Sequence, residues 1–308
     1  MASRTGLICG VSAYLLWGLF PLYWPLLEPA APIEILAHRM VWSMVFLVAL
    51  LALTRGFRWI RTLDRRRIGL LAIAAALITV NWGTFIYAVN SGHVVETSLG
   101  YFINPLISVA LGVIVLKESL RPHQRIAVGI AFVAVVVLAV DYGRPPWIAL
   151  VLAFAFGLYG LVKKRVGLDG AESLTAETAF VVAPALLYLL WLGSDGSGTF
   201  TSEGGGHVAL LVTSGAVTAI PLVLFGDAAI RVPLVTIGLL QYMAPVMQFL
   251  IGVLVYGEDM PLSRLAGFAL VWLALAVFTV DAVRAAREHR AAPAPPPADA
   301  TPALAATR

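Results

Sequence analysis

Three side chains near the start of the chain could act together: Glu34, His38 and Arg39. Glu34 and His38 are four residues apart, so on a helix they share a face. His38 is the residue type that titrates closest to neutral pH. The segment around them is apolar, and a charged side chain at a bilayer centre costs about 2.5–3.5 kcal/mol on insertion scales. A cluster kept at that cost points to substrate contact or a protonation switch. The plainer alternative is Arg39 snorkelling to water from the end of a span. Further on, Asn81, Asn104, Gln241 and Gln248 place amides inside apolar runs, which suits either a polar pathway or hydrogen bonds between helices. Trp17, Trp82, Tyr101 and Tyr242 could stack on a flat ligand or simply pack. Glu96, Glu177 and Asp227 fall near span ends. Glu118 and Glu258 do too, and read as helix-terminus residues with Arg125 and Arg264 close by. The candidate substrate and proton pathway is therefore Glu34, His38, Arg39, Asn81, Trp82, Glu96, Asn104 and Gln241.

No HExxH, P-loop or nucleotide-binding fingerprint occurs, so an enzyme is not expected and no cofactor is implied. The single cysteine, Cys9, lies in an apolar run, which removes a disulfide framework and a cysteine-based metal site; no metal is expected.

These residues need elements to hold them, and composition says what kind. The 308 residues are 60% hydrophobic and only 12% charged, with a mean hydropathy of +0.90. A water-exposed domain carries about 25% charged residues. Too little polar surface remains to wet a globule of this size, so the solvent is lipid. A bilayer core needs roughly 20 mostly apolar residues per helix. Spans are expected near 6–26, 35–54, 68–90, 94–116 and 124–141, then 146–163, 174–193, 208–227, 234–256 and 263–283. The first is too long and too broken by Pro21 and Pro25 for a signal peptide.

The net charge of +4 could suggest nucleic acid, but the basic residues cluster between apolar runs, as in orientation signals. With the N-terminus inside, 18 of the 21 Lys and Arg residues fall in cytoplasmic segments; the others are Arg39, Arg144 and Arg264. A miscounted span would scramble that asymmetry. Ten spans with both termini cytoplasmic are expected, in a bacterial inner membrane. Beyond residue 283 the chain turns Ala/Pro-rich and is expected to be a disordered tail over 284–308.

The two sets of five resemble each other. Leu99–Glu118 aligns without a gap to Leu239–Glu258, matching Pro105 with Pro245, Gly112 with Gly252 and Glu118 with Glu258; Asp141 meets Asp281 in the same frame. An odd number of spans per copy makes the second copy enter from the opposite side, an inverted repeat of residues 1–143 and 144–283. Pro105 and Pro245 are expected to kink their helices and free a carbonyl toward the pathway.

The stretches EILAHRMVWS (Glu34–Ser43), NWGTFIYAVNSGHVVETSLGYFINPL (Asn81–Leu106), LKESL (Leu116–Leu120) and GLLQYMAPVMQFLIGVLVYGE (Gly238–Glu258) resemble the EamA branch of the drug/metabolite transporter superfamily. The resemblance covers roughly residues 5–283. It implies an all-α integral membrane protein of ten helices in two EamA repeats that exports metabolites or drugs by proton antiport or exchange. Members of this kind are labelled chloramphenicol permeases. All eight pathway residues lie on these stretches, and a carboxylate, Glu34 or Glu96, is expected to carry the coupling proton. Import or exchange by the same fold, and a membrane scaffold or lipid-handling protein without solute transport, are the competing readings. A small molecule and the bilayer are the expected partners; monomer and homodimer are both open.

Overall fold

The computed structural model describes residues 4–54, 56–116, 122–168, 170–231 and 240–291; a few side chains inside its helices, including those of Pro105 and Asp227, lie outside the described set. The described residues form helices and no strand. Helix α1 (Arg4–Gly18) continues after a 44° bend as Phe20–Leu27. There follow α2 (Pro32–Thr54), α3 (Arg65–Asn90), α4 (Val94–Leu116), α5 (Pro122–Asp141), α6 (Trp147–Val166), α7 (Gly170–Asp195), α8 (Gly204–Arg231), α9 (Met243–Leu254) and α10 (Leu262–Ala291). Six of these are long and apolar enough to cross a membrane, seven if bent α1 counts as one span; Trp147–Lys163 and Met243–Leu254 are apolar but shorter.

Local chemistry explains the ends and breaks. Asp64 caps α3 by accepting the Arg67 N–H at 2.7 Å. Gly167, at φ 67°, closes α6 in the left-handed conformation that a Cβ disfavours. The bend in α1 follows from Pro21 and Pro25, which have no N–H for the carbonyls four residues earlier. Those carbonyls, on Trp17 and Pro21, instead accept from Gln248 Nε2 at 3.2 Å and from the Tyr256 hydroxyl at 2.8 Å. Lipid cannot supply such donors, so the α9 region does.

One expectation changes here, and another is located. Pro245 lies in the first turn of α9, and a turn at Gln241–Tyr242 separates that helix from helical Leu240, the residues before it lying outside the described set. The physical cause is the same: Pro245 offers no N–H to the Gln241 carbonyl. Residues 284–291 continue α10 as helix, because Ala, Arg and Glu are good helix formers; the rest of the expected tail lies outside the described residues. Pro105 falls within α4, its side chain outside the described set.

The packing has a regular plan. Helices α5 and α10 lie along each other, as do α2 and α7, and α4 and α9. The remaining major partners come in pairs under a shift of five helices: α3 on α6 with α8 on α1, α4 on α6 with α9 on α1, and α2 on α8 with α7 on α3. At one end, Asp141 closing α5 accepts from Ser263 and, at 3.0 Å, from Arg264 Nε, both at the start of α10. At the other, Asp281 on α10 lies 3.6 Å from His123 at the start of α5. A 140-residue shift carries His123 to Ser263 and Asp141 to Asp281, so the two contacts are equivalents at opposite ends of an antiparallel pair.

Small residues allow close approach, as is usual between membrane helices. A Cβ on Gly215 of α8 would fall 2.3 Å from the Trp42 backbone carbonyl carbon on α2. Facing outward are Leu53, Phe132, Leu187 and Leu190, each more than half exposed, while Glu34, Arg39, Asn81, Glu96 and Glu177 are buried. Apolar outside and charged inside is the arrangement of a protein solvated by lipid.

Candidate substrate site

Arg39 is the eighth residue of α2, about 10 Å from the helix start at 1.5 Å per residue. Aromatic residues converge on it from two other helices. Trp82 comes from α3, and Phe20 and Trp24 come from the bent segment of α1. The guanidinium carbon sits 3.9 Å from the Trp82 ring centroid, 4.9 Å from Trp24 and 5.8 Å from Phe20. Next to Trp82, Asn81 donates from Nδ2 to the Leu152 carbonyl of α6 at 3.1 Å. Its Oδ1 accepts from the Tyr101 hydroxyl of α4 at 3.3 Å.

Arg39 is 3% exposed, so it does not snorkel to water. Magnitudes then decide what it lacks. A desolvated cation–π contact contributes about 2 kcal/mol, whereas removing one ion from water costs several kcal/mol even after relaxation. The rings therefore offset part of the penalty. An aromatic ring supplies no lone-pair acceptor, so the guanidinium N–H groups still need acceptors. Among the described residues no carboxylate pairs with Arg39, and its Nε finds no hydrogen-bond partner. The Trp24 indole N–H, in the same cage, is also unpartnered. The cage is rich in donors and poor in acceptors.

The other two members of the N-terminal trio face elsewhere. Glu34 accepts from the Thr199 N–H at 2.7 Å and its hydroxyl at 3.0 Å, and that hydroxyl contacts His207 Nε2 at 2.8 Å. His38 stacks on Phe200, 4.8 Å between centroids and 19° between planes, with both ring nitrogens unpartnered. The expected cluster is thus two sites on two faces of α2, one toward the α7–α8 connection and one toward α1 and α3.

Glu96, 1% exposed at the start of α4, is fully engaged. It pairs with Arg144 at 2.9 Å and accepts the Ile148 N–H at 3.1 Å, so it also caps α6. Glu177 on α7 is buried in the same way, accepting from the Tyr159 hydroxyl at 2.9 Å, Lys163 Nζ at 2.9 Å and the Ser173 hydroxyl at 2.6 Å. Glu258 reaches back to cap α4, accepting from Val94 N at 2.5 Å and Val95 N at 3.0 Å; burial pushes its carboxyl above the ordinary carboxylate range. Asn104 on α4 leaves its Oδ1 unpartnered close to Gly157 of α6, and Gln241 hydrogen-bonds Tyr242 before α9. Neither joins the Arg39 cage. Sequence reading missed Phe20 and Trp24 as site residues, although their spacing of four around Pro21 and Pro25 was a usable signal. Among the described residues, no group of three or more His, Cys, Asp or Glu side chains could hold a metal ion.

An apolar-faced helical bundle that buries its charges between helices is the build of a multi-pass membrane protein. The chain belongs to the EamA-like transporter family, whose model matches residues 4–140. It is 62% identical to Protein RarD of Streptomyces exfoliatus, over 94% of this chain and 92% of that protein. It is 44% identical to the uncharacterized transporter YojE of Bacillus subtilis (strain 168), over 93% and 98%. A chloramphenicol-sensitive protein RarD of Pseudomonas aeruginosa is 32% identical over 93% and 97%. A crystal structure 20% identical to this chain, covering 90% of it and 99% of the other chain at a TM-score of 0.60, shares the fold.

Proposed function

We propose that the chain is a secondary active exporter of a small metabolite or drug, working by alternating access between two inverted five-helix halves in a bacterial inner membrane. The observation that carries this reading is the Arg39 cage. It draws on α1, α2, α3 and α4 of the first half and, through Asn81 and the Leu152 carbonyl, on α6 of the second. A site shared between the halves changes access when one half rocks against the other. The five-helix shift in packing partners and the equivalent contacts of Asp141 and Asp281 support the inverted repeat. The charge asymmetry supports ten spans with both termini in the cytoplasm. The name of the Pseudomonas relative brings chloramphenicol in as one cargo to try.

In the test, cells with and without the chain are compared for labelled chloramphenicol accumulation and for metabolites released to the medium, before and after an uncoupler. Lower accumulation or greater release, reversed by the uncoupler, is the expected result. No difference in either would overturn export. Proton coupling through Glu34 or Glu96 is tested in the same assay: Glu34→Gln and Glu96→Gln that both keep uncoupler-sensitive export remove that assignment. A scaffold without transport draws its support from Glu34, Glu96 and Glu177, all fully partnered in the bundle. It leaves the unpartnered Arg39 unexplained.

A further inference from the structure

We infer that the cargo carries a single negative charge, a carboxylate, and that Arg39 binds it within the aromatic cage. The inference rests on the transporter reading and names the class of substrate for that same site. Four observations converge. Arg39 is 3% exposed and, among the described residues, has no acidic partner. Its Nε and the Trp24 indole N–H are buried donors without acceptors, in one cage. The Trp82 ring centroid lies 3.9 Å from the guanidinium carbon, so a ring stands against the fork where a paired cation would have a carboxylate. The adjacent amide, Asn81, is already satisfied on both sides by Leu152 and Tyr101, so it does not turn to serve Arg39.

A carboxylate fits what is missing. It accepts two parallel N–H bonds from a guanidinium in the fork geometry, and it neutralises one positive charge with one negative charge. A phosphate dianion would leave a negative charge without compensation, because among the described residues the cage holds no second cation. A neutral amide offers one oxygen and brings two more donors to a site that already has too many. Chloramphenicol, being neutral, therefore falls outside the preferred class, and a carboxylate of similar bulk falls inside it. Arg39 is charged across the physiological range, so binding depends on the ionisation of the cargo.

The purified full-length chain is melted in detergent with benzoate, with benzamide of the same shape, and with inorganic phosphate. Wild type, Arg39→Lys and Arg39→Gln are compared. The expected result is a rise in melting temperature with benzoate alone, largest in wild type, smaller in Arg39→Lys and absent in Arg39→Gln. A rise with benzamide equal to that with benzoate, an undiminished benzoate effect in Arg39→Gln, or no benzoate effect in wild type would each overturn the assignment. Metabolite release separates this failure from that of the transport reading. A wild type that releases only neutral or cationic metabolites removes the carboxylate and leaves transport standing. A wild type that releases nothing beyond the control removes both.

Discussion

Glu96 and Arg39 are almost equally buried, at 1% and 3% exposure, yet the fold treats them in opposite ways. Glu96 meets a cation and a helix N-terminus. Glu177 meets a hydroxyl, an ammonium and a second hydroxyl. Each of these carboxylates ties two helices together, as Glu258 ties the α9–α10 connection to α4. Arg39 meets rings, and among the described residues its Nε finds no acceptor. A buried charge whose hydrogen bonds are complete offsets its own desolvation; one whose hydrogen bonds are incomplete keeps a cost that a ligand of opposite charge would relieve. Burial alone does not distinguish the two, but a census of partners does.

The contrast can be broken most sharply at Arg39 itself. Arg39→Gln is expected to lower export at least tenfold while the melting temperature of the purified chain holds or rises, because a buried charge without a partner is removed. A large loss of stability would make Arg39 a structural residue after all. Glu177→Ala is expected to do the reverse, costing about 2–4 kcal/mol in thermal unfolding, since Tyr159, Lys163 and Ser173 all lose their acceptor. Export per folded molecule should stay close to wild type. Gly215→Ala tests the close crossing of α2 and α8, where the new methyl would meet the Trp42 backbone. Overpacking there should cost about 1–3 kcal/mol in the same unfolding assay. Trp82→Leu keeps the cage apolar but removes its best cation–π partner; cargo affinity should fall about fivefold, for a loss of about 1 kcal/mol.

The smallest effect concerns pH. Burial holds the Glu258 carboxyl above its ordinary range, so the native state binds that proton more tightly than the unfolded chain does. Its contribution to stability is present at low pH and is lost as pH rises through the Glu258 pKa. Melting temperature measured from acid toward neutral pH should therefore fall less steeply in Glu258→Gln than in wild type.

Most of the fold could be read from the sequence, because the apolar run that lipid requires is a local property. The runs at 35–54, 68–90 and 124–141 became α2, α3 and α5 to within three residues. The 140-residue frame paired Asp141 with Asp281, and these two residues lie at opposite ends of the α5–α10 contact. The site was legible only in part. The buried cost of Arg39 singled it out, and its neighbours Asn81 and Trp82 were marked, but the trio of Glu34, His38 and Arg39 was read as one cluster. Consecutive residues on a helix point about 100° apart, so His38 and Arg39 were bound to face different neighbours. What surrounds each depends on contacts such as Glu96 with Arg144 and Glu34 with Thr199, between residues far apart in the chain. The missing acceptor at Arg39 is a property of the packed bundle, and no local pattern records it.

The most direct measurement follows uncoupler-sensitive metabolite release from cells carrying wild type, Arg39→Gln or Glu177→Gln, each normalised to folded protein in the membrane. The account predicts that release of carboxylates disappears in Arg39→Gln and persists per folded molecule in Glu177→Gln. Release that survives in Arg39→Gln and vanishes in Glu177→Gln would contradict it, moving the site from the caged cation to the paired carboxylate.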